Sequence, residues 1–284
     1  MAYLLAVAAA AAFGAGDFLG GLASRRTGVL VTTAAAQAAG FSLMLPALLL
    51  VVATPDRTSL VWGGVGGLAG CVGLLVFFRA LSDGVMSTVA PVTAVIAAGL
   101  PIVVGVALGE RPGSLAWLGV GVGMVAVIVI GASGREHEQA ARRREPRDPL
   151  WAVVLALAAG VGFGVFFVCL SRTSPSAGLW PLAAARMTAL TLLGVNMLVK
   201  HAELRADAEG LRLAIPSGVL DQAANVLFLY AVHRGVLALV AVLVSLYPAV
   251  TVILALALLR ERLRATQVAG VALALVAVVL IAAS

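Results

Sequence analysis

The chain has 284 residues, of which 62% are hydrophobic and 11% are charged, and its formal net charge is +6. An ordinary soluble domain contains about 25% charged residues, so this composition excludes a soluble globular enzyme with one small core. Disorder is excluded too, because disordered chains are poor in apolar residues. The basic residues lie in short gaps between apolar runs, which favours loop charge beside a bilayer over nucleic-acid binding.

Ten apolar runs follow one another along the chain, and their lengths suit tilted helices that cross a bilayer. They lie at 2–22, 30–52, 60–80, 86–108, 114–132, 150–170, 178–199, 213–233, 236–258 and 264–283. Strands of a membrane barrel would alternate polar and apolar residues, whereas these runs are apolar all round. The sequence therefore predicts an all-α membrane protein with ten transmembrane helices.

The distribution of Lys and Arg predicts the orientation. Fourteen of these residues lie in the loops after helices 1, 3, 5, 7 and 9, and four lie in the opposite loops. Because cytoplasmic loops are rich in basic residues, the first set, which includes the central loop, is predicted to be cytoplasmic, with both termini outside. Arg25 and Arg26 follow the first run and no basic residue precedes it, so we expect a retained helix of an inner-membrane protein rather than a signal peptide.

The chain divides into two similar halves, 1–132 and 150–284, around a charged linker at 133–149. Each half carries an alanine, a glycine four residues later, and a Glu-Arg pair that begins 26 residues after the glycine. The copies are Ala80, Gly84, Glu110 and Arg111 in the first half, and Ala231, Gly235, Glu261 and Arg262 in the second. Since each half has five crossings, an odd number, the second copy enters from the opposite side. Such inverted repeats are typical of secondary transporters.

These segments resemble the ten-helix EamA type of the drug/metabolite transporter superfamily. The resemblance lies in FRALSDGV and LGERPGSLAWLGVGV, and in LYAVHRGVLALVAVLVSLYPAVTVILALALLRERLRATQVAGVAL. Both halves share an A-L-x-x-G-like turn, an apolar helix, an E-R pair and a glycine-containing last helix, although Ala97 stands where Pro248 would align. The resemblance implies export of a small molecule and termini in the cytoplasm, which differs from the loop count.

Ionisable groups inside a membrane span are costly and are functional candidates by default. Asp17 lies in the first span, Arg186 in the seventh and Asp221 in the eighth. The last two lie at similar depth on neighbouring helices, so they form either a structural ion pair or a substrate anchor or proton relay. Gln222 and Asn225 follow Asp221, and Asn225 shares its helix face, which we expect to look inward.

Prolines and turn residues complete the set of candidates. Pro91 and Pro248 are expected to kink the fourth and ninth helices, and Tyr247 is expected to line the pathway beside Pro248. The pairs Glu110-Arg111 and Glu261-Arg262 lie at turns, where capping or ion pairing would position the last helix of each repeat.

The sequence predicts a secondary transporter that moves a small molecule by alternating access, with possible proton coupling through Asp17 and Asp221. No catalytic, metal or cofactor site is expected. Two alternatives stay open: a lipid-carrier flippase of the same superfamily and, less favoured, an integral-membrane enzyme. A pathway open sideways to lipid would favour the flippase, and a cluster of His, Asp or Glu at one membrane face would favour the enzyme.

Overall fold

The computed structural model describes residues 1–83, 86–141, 149–199, 207–259 and 265–284. Within these ranges the chain forms eleven α-helices and one short 3-10 helix, Pro175–Ala177. The α-helices are α1 Ala2–Thr27, α2 Val29–Leu50, α3 Arg57–Asp83, α4 Met86–Ala107, α5 Ser114–Ala141, α6 Pro149–Ser171, α7 Trp180–Val199, α8 Ala208–Val232, α9 Leu237–Val244, α10 Tyr247–Leu259 and α11 Ala265–Ala282.

These helices match the predicted spans. Six of them are long and apolar enough to cross a membrane, namely α1, α2, α3, α6, α7 and α8. Four further apolar helical stretches have 10–17 residues, and they fall in α4, in α5, across α9 and α10, and in α11. For the part of the chain that the structure describes, the prediction of an all-helical membrane protein is confirmed, with six of the ten predicted spans long enough to cross and the other four present as shorter apolar helices. The inverted relation of the two halves stays a prediction.

The ninth span is broken into two helices. The α9 helix ends at Val244, Ser245 and Leu246 form a turn, and α10 starts at Tyr247. Pro248 is then the second residue of α10, where its missing N–H has no intrahelical partner to lose. The helix therefore breaks just before the proline. By contrast, α4 runs on through Pro91 without interruption.

The fifth helix is longer than predicted. It continues to Ala141, nine residues beyond the predicted end at 132, so the first part of the expected linker is helical. The segment Arg135–Ala141 contains Glu, Gln and Ala, which are good helix formers, so the helix continues after the apolar run has ended. Apolarity predicted the membrane crossing, and helix propensity allows the helix to continue beyond it.

Helices from the two halves of the chain pack against each other throughout. The most extensive contacts between helices are α1 with α8, α3 with α6, α5 with α11, and α4 with α6. Alanine is the most frequent residue in the core between them, and Phe167, Phe228 and Leu243 are among its large side chains. Small side chains allow close helix approach in a membrane, where packing rather than water exclusion holds helices together.

Candidate functional site

A cavity lies in the middle of the helix bundle, between the two halves of the chain. The space that the centre of a water-sized sphere can reach in it is about 70 Å³, and the wider open space around it, which includes solvent, is about 740 Å³. The charged residues of its lining are Asp17 from α1, Arg186 from α7 and Asp221 from α8. The structure thus brings all three predicted intramembrane charges to one site.

Arg186 is the centre of a buried hydrogen-bond network. Its Nη2 donates to Asp221 Oδ2 at 2.5 Å and its Nε donates to Gln222 Oε1 at 2.7 Å. Its Nη1 donates to Oε1 of Gln37, which comes from α2. Only 8% of the Arg186 side chain is exposed. Three oxygens on two helices therefore neutralise and solvate one buried guanidinium.

Asp221 is more accessible than its partner and has a second neighbour. Its side chain is 26% exposed and lines the cavity. Asn225 donates from Nδ2 to the Asp221 backbone oxygen at 2.7 Å and to Oδ2 at 3.2 Å. Asn225 Oδ1 is buried and has no hydrogen-bond partner in the described part of the chain. The predicted shared face of Asp221 and Asn225 thus borders the cavity.

Asp17 lines the same cavity but has no such partners. It is half-buried and makes no hydrogen bond or ion pair to any residue that the structure describes. It lies within electrostatic range of Asp221. The α1 helix reaches this position because glycines let it approach its neighbours: Gly16 faces α8, where Ser217 Oγ donates to the Gly16 carbonyl at 2.7 Å.

Tyr247 lies at the break between α9 and α10. It is 7% exposed, lines the cavity, and its hydroxyl has no partner among the described residues. Pro248 beside it is buried. The Tyr247 backbone oxygen, in the first turn of α10, accepts from Thr251 Oγ1 at 3.3 Å. The broken helix thus presents a buried phenol to the cavity.

An aromatic wall forms the other side of the cavity. Phe163, Phe166 and Phe167 of α6 line it together with Phe13 of α1. Phe13 and Phe167 meet edge to face, with ring centroids 6.2 Å apart. Phe167 also packs against Phe228 at 4.4 Å. The cavity therefore has one polar wall and one aromatic wall.

Glu110 does not contribute to the cavity. Its carboxylate accepts from the backbone N–H groups of Leu237 at 2.7 Å and Ala238 at 3.1 Å, at the start of α9. The expected capping is present, but the capped helix is α9 of the second half rather than α5. Arg111 is exposed. Glu261 and Arg262 lie outside the described residues.

The connections after α2, α4, α6 and α8 are joined at one end of the bundle. The Thr54 backbone N–H donates to the Ser176 carbonyl at 2.9 Å, and the Ser174 N–H donates to Ser59 Oγ at 2.9 Å. Thr173 Oγ1 and His233 Nε2 share a hydrogen bond of 3.1 Å. Together with the Glu110 cap, these contacts join the connections at this end of the bundle, which we call the even-loop face.

Sequence reasoning undervalued several lining residues. Gln37 is an uncharged amide of the kind that often forms interhelical hydrogen bonds in membranes, and here it bonds the central arginine. Cys71 carried no functional expectation and lines the cavity. Phe13 and Phe163 are 150 residues apart, the offset that relates the start of the two halves, and both line the cavity.

The fold and the site together define a multi-pass membrane protein with a cavity of mixed polarity between two sets of helices. Residues 150–283 match the model of the EamA-like transporter family. This match confirms, over the second half of the chain, the resemblance to the EamA type of the drug/metabolite transporter superfamily.

The chain is also similar to two further proteins. An uncharacterized protein of Methanocaldococcus jannaschii, MJ1333.1, is 27% identical over 133 residues, which are 47% of this chain and 97% of that protein. A solved crystal structure superposes with a TM-score of 0.74 at 17% identity, over 97% of this chain and 98% of that chain. At this identity the second likeness concerns the fold alone.

Proposed function

We propose that the protein is a secondary transporter that moves a small metabolite across the inner membrane by alternating access, with export as the direction. The observation that carries the proposal is the cavity between the two halves, where Asp17, Arg186 and Asp221 converge within otherwise apolar helices. Charged groups in a bilayer are retained where they serve a substrate or ion pathway.

Equivalent packing in the two halves supports inverted repeats as the moving units. A Cβ atom on Gly14 of α1 would lie 2.8 Å from Val250 Cβ of α10. One on Gly164 of α6 would lie 2.9 Å from Leu100 Cβ of α4. Gly164 follows Gly14 by 150 residues, and Val250 follows Leu100 by the same number. A pseudo-two-fold relation of this kind lets the repeats rock about a fixed central site.

The contacts of the even-loop face support a state that is closed on that side. They tie α2–α3 to α6–α7, and they tie the start of α9 to the loop after α4. Four Lys and Arg residues belong to these loops and fourteen to the opposite ones. We therefore assign the even-loop face to the outside, with the termini outside and the central loop in the cytoplasm. A reporter enzyme that is active only in the cytoplasm, fused after Ser284, tests this assignment and should be inactive.

Proton coupling through Asp17 and Asp221 is part of the proposal. Arg186 faces Asp221, and Tyr247 borders the same space as Asp17, so protonation of either carboxylate changes the charge of the cavity. In proteoliposomes, an imposed pH gradient should drive substrate movement, and Asp221→Asn should abolish that dependence. Transport that ignores the gradient and is unchanged by Asp221→Asn would remove the proton from the mechanism.

A metabolite screen tests the proposed class of activity. Cells with and without the protein are exposed to a panel of compounds, and both growth and internal concentrations are followed. A transporter should lower the internal concentration of at least one soluble compound, and Arg186→Met should cancel the effect. If only labelled lipid carriers change sides, the protein is a flippase. If nothing changes, the transport proposal fails.

A further inference from the structure

The two walls of the cavity come from equivalent positions of the two halves but have opposite chemistry. Phe167 follows Asp17 by 150 residues, and the offset of 150 is the one that relates the α1–α10 contact to the α6–α4 contact. Tyr247 follows Ala97 by the same 150 residues, and the backbone oxygens of these two residues lie near a Cβ placed on Gly14 and on Gly164 respectively. Packing thus pairs Ala97 with Tyr247, where the sequence comparison had paired it with Pro248. Asp17, Phe167, Ala97 and Tyr247 all line the cavity. In each pair the polar member comes from α1 or α10, and the apolar member comes from α6 or α4.

The pair α3 and α8 repeats this division at an offset of 151. Gly67 of α3 packs on the backbone of Ala185. Gly218 of α8, which follows Gly67 by 151 residues, packs on the backbone of Ala36 in the same way. At this offset Asn225 corresponds to Leu74, and both line the cavity. Equivalent helices therefore line the cavity with polar side chains in one copy and with apolar side chains in the other. A cavity with one polar wall and one apolar wall suits a ligand with one polar end and one apolar end.

The charge of the polar wall indicates whether the polar end of the ligand is positive or negative. Arg186 is already bound by Asp221 and two amide oxygens, so its positive charge is satisfied within the protein. Asp17 has no partner in the described chain. With both aspartates ionised, the charged residues of the described lining sum to −1. A bound cation would balance this charge.

Two buried oxygens on the same wall also lack partners. Asn225 Oδ1 and Tyr247 Oη make no hydrogen bond within the described part of the chain, although their residues are only 5% and 7% exposed. A buried polar atom without a partner costs free energy unless a ligand or water supplies one. Together with the Asp17 carboxylate they form three acceptor groups, and a primary ammonium group has three N–H donors.

We propose that this cavity binds an amphiphilic primary amine, with its ammonium group at Asp17, Asn225 and Tyr247 and its apolar body against Phe163, Phe166 and Phe167. The assignment rests on the proposed transport function in that it names the substrate class of that same site. Aromatic faces favour both an apolar body and a nearby cation.

The test measures binding to the purified full chain in detergent, where no transport takes place. Three probes share a phenyl body: 2-phenylethylamine is cationic, 2-phenylethanol is neutral and 3-phenylpropionate is anionic. Calorimetric titration at neutral pH should give about 10- to 100-fold tighter binding for the amine than for the alcohol, since a charged partner strengthens the hydrogen bonds to that extent. The anion should not bind measurably. Methylamine, which lacks the phenyl body, should bind more weakly than 2-phenylethylamine.

Variants locate the charge that is responsible. Asp17→Asn should bring the amine down to the affinity of the alcohol and leave the alcohol unchanged. Asp56→Asn is the matched control: it removes a carboxylate that accepts from the Ser59 N–H at the start of α3, away from the cavity, and should leave amine binding as it is. The comparison of the three probes on the unaltered protein needs no variant, so it decides the matter even if Asp17→Asn does not fold.

Equal affinity for the three probes, a preference for the anion, or no binding by any probe up to its solubility would overturn the assignment. This outcome is separate from the transport proposal. If the amine binds selectively but no compound moves across the membrane of proteoliposomes, the transport proposal is wrong and the proposed ligand class stands. If a different compound is transported and the amine does not compete with it, the transport proposal stands and the proposed ligand class is wrong.

Discussion

At the scale of single residues, the Arg186–Asp221 pair raises the question of whether a buried ion pair is structural or functional. Breaking a buried pair by removing one partner costs about 3–5 kcal/mol, whereas replacing both with apolar residues is often neutral. Stability and transport therefore respond differently to single and double variants, and a double-mutant cycle separates the two roles.

We predict that Arg186→Met and Asp221→Leu each lower the thermal unfolding midpoint in detergent, because each leaves one charge without its partner. The double variant should regain most of the loss and should still be inactive in transport. If the double variant is both stable and active, the pair is structural only and the site lies elsewhere in the cavity.

The close packing of Gly67 on a neighbouring backbone leads to a second prediction for a single residue. A Cβ at Gly67 would overlap the backbone of Ala185, and backbone atoms of α7 cannot move aside as a flexible side chain can. Gly67→Ala should therefore lower the yield of folded protein and its unfolding midpoint. Gly121→Ala in α5 is the control, because nothing lies within 4 Å of a Cβ there. Equal stability of both variants would contradict the close approach of α3 and α7.

At the scale of elements, the cap of α9 joins the two halves of the chain. Glu110 accepts two N–H groups at the start of this helix. Removing a side-chain cap typically costs about 0.5–2 kcal/mol. We predict a loss of that order for Glu110→Ala in chemical unfolding, and little change for Arg111→Ala, whose side chain is exposed. Equal losses in the two variants would mean that the carboxylate does not hold α9.

The turn after α8 should make stability depend on pH. Burial lowers the pKa of His233 from its ordinary 6.5, and the charge of Arg234 adds to this, against a hydrogen bond to the Thr173 backbone that raises it. The unfolded chain then binds the proton more readily than the folded one, so stability is present at higher pH and falls as the pH drops through and below 6.5. His233→Gln should flatten the change in the unfolding midpoint between pH 8 and pH 5. The same slope in both proteins would contradict this role.

The helices and the Arg186–Asp221 pair could be predicted from the sequence, whereas most contacts between distant helices could not. Apolar runs locate the spans to within about five residues, except that α5 ends nine residues later than predicted, since a bilayer fixes the length of a crossing. The partner of Arg186 on α2, Gln37, is 149 residues away, and Glu110 reaches a helix 127 residues away. Spacing along one chain carries no information about such contacts. Asp17, Asp221 and Asn225 could be selected because polar groups are rare in these helices.

The broken ninth helix shows what the sequence predicts and what the structure adds. Pro248 predicts a disturbance near the middle of the span, and the structure adds that the break comes before it, at Ser245 and Leu246. This places Tyr247 at the start of a new helix beside the cavity. The aromatic wall was visible in the sequence only as Phe13 and Phe163, which recur at equivalent positions of the two halves.

At the scale of the whole molecule, the low content of charged residues makes the three charges of the cavity stand out. A chain with 11% charged residues keeps three charges at its centre, and the halves that surround them pack in equivalent ways. Under the proposed mechanism, the joined even-loop face corresponds to one of the two states that alternating access requires. The opposite state should open this face and expose the cavity on that side.

The most direct measurement uses Cys71, which lines the cavity and is 1% exposed. The chain has two cysteines, so Cys169→Ala leaves Cys71 as the only thiol. A membrane-impermeant thiol reagent is applied to one side or the other of vesicles in which the protein has a single orientation. Alternating access predicts that Cys71 is labelled from both sides, and that Glu110→Ala speeds labelling from the even-loop face. Labelling from one side only, or from neither, would contradict transport through this cavity.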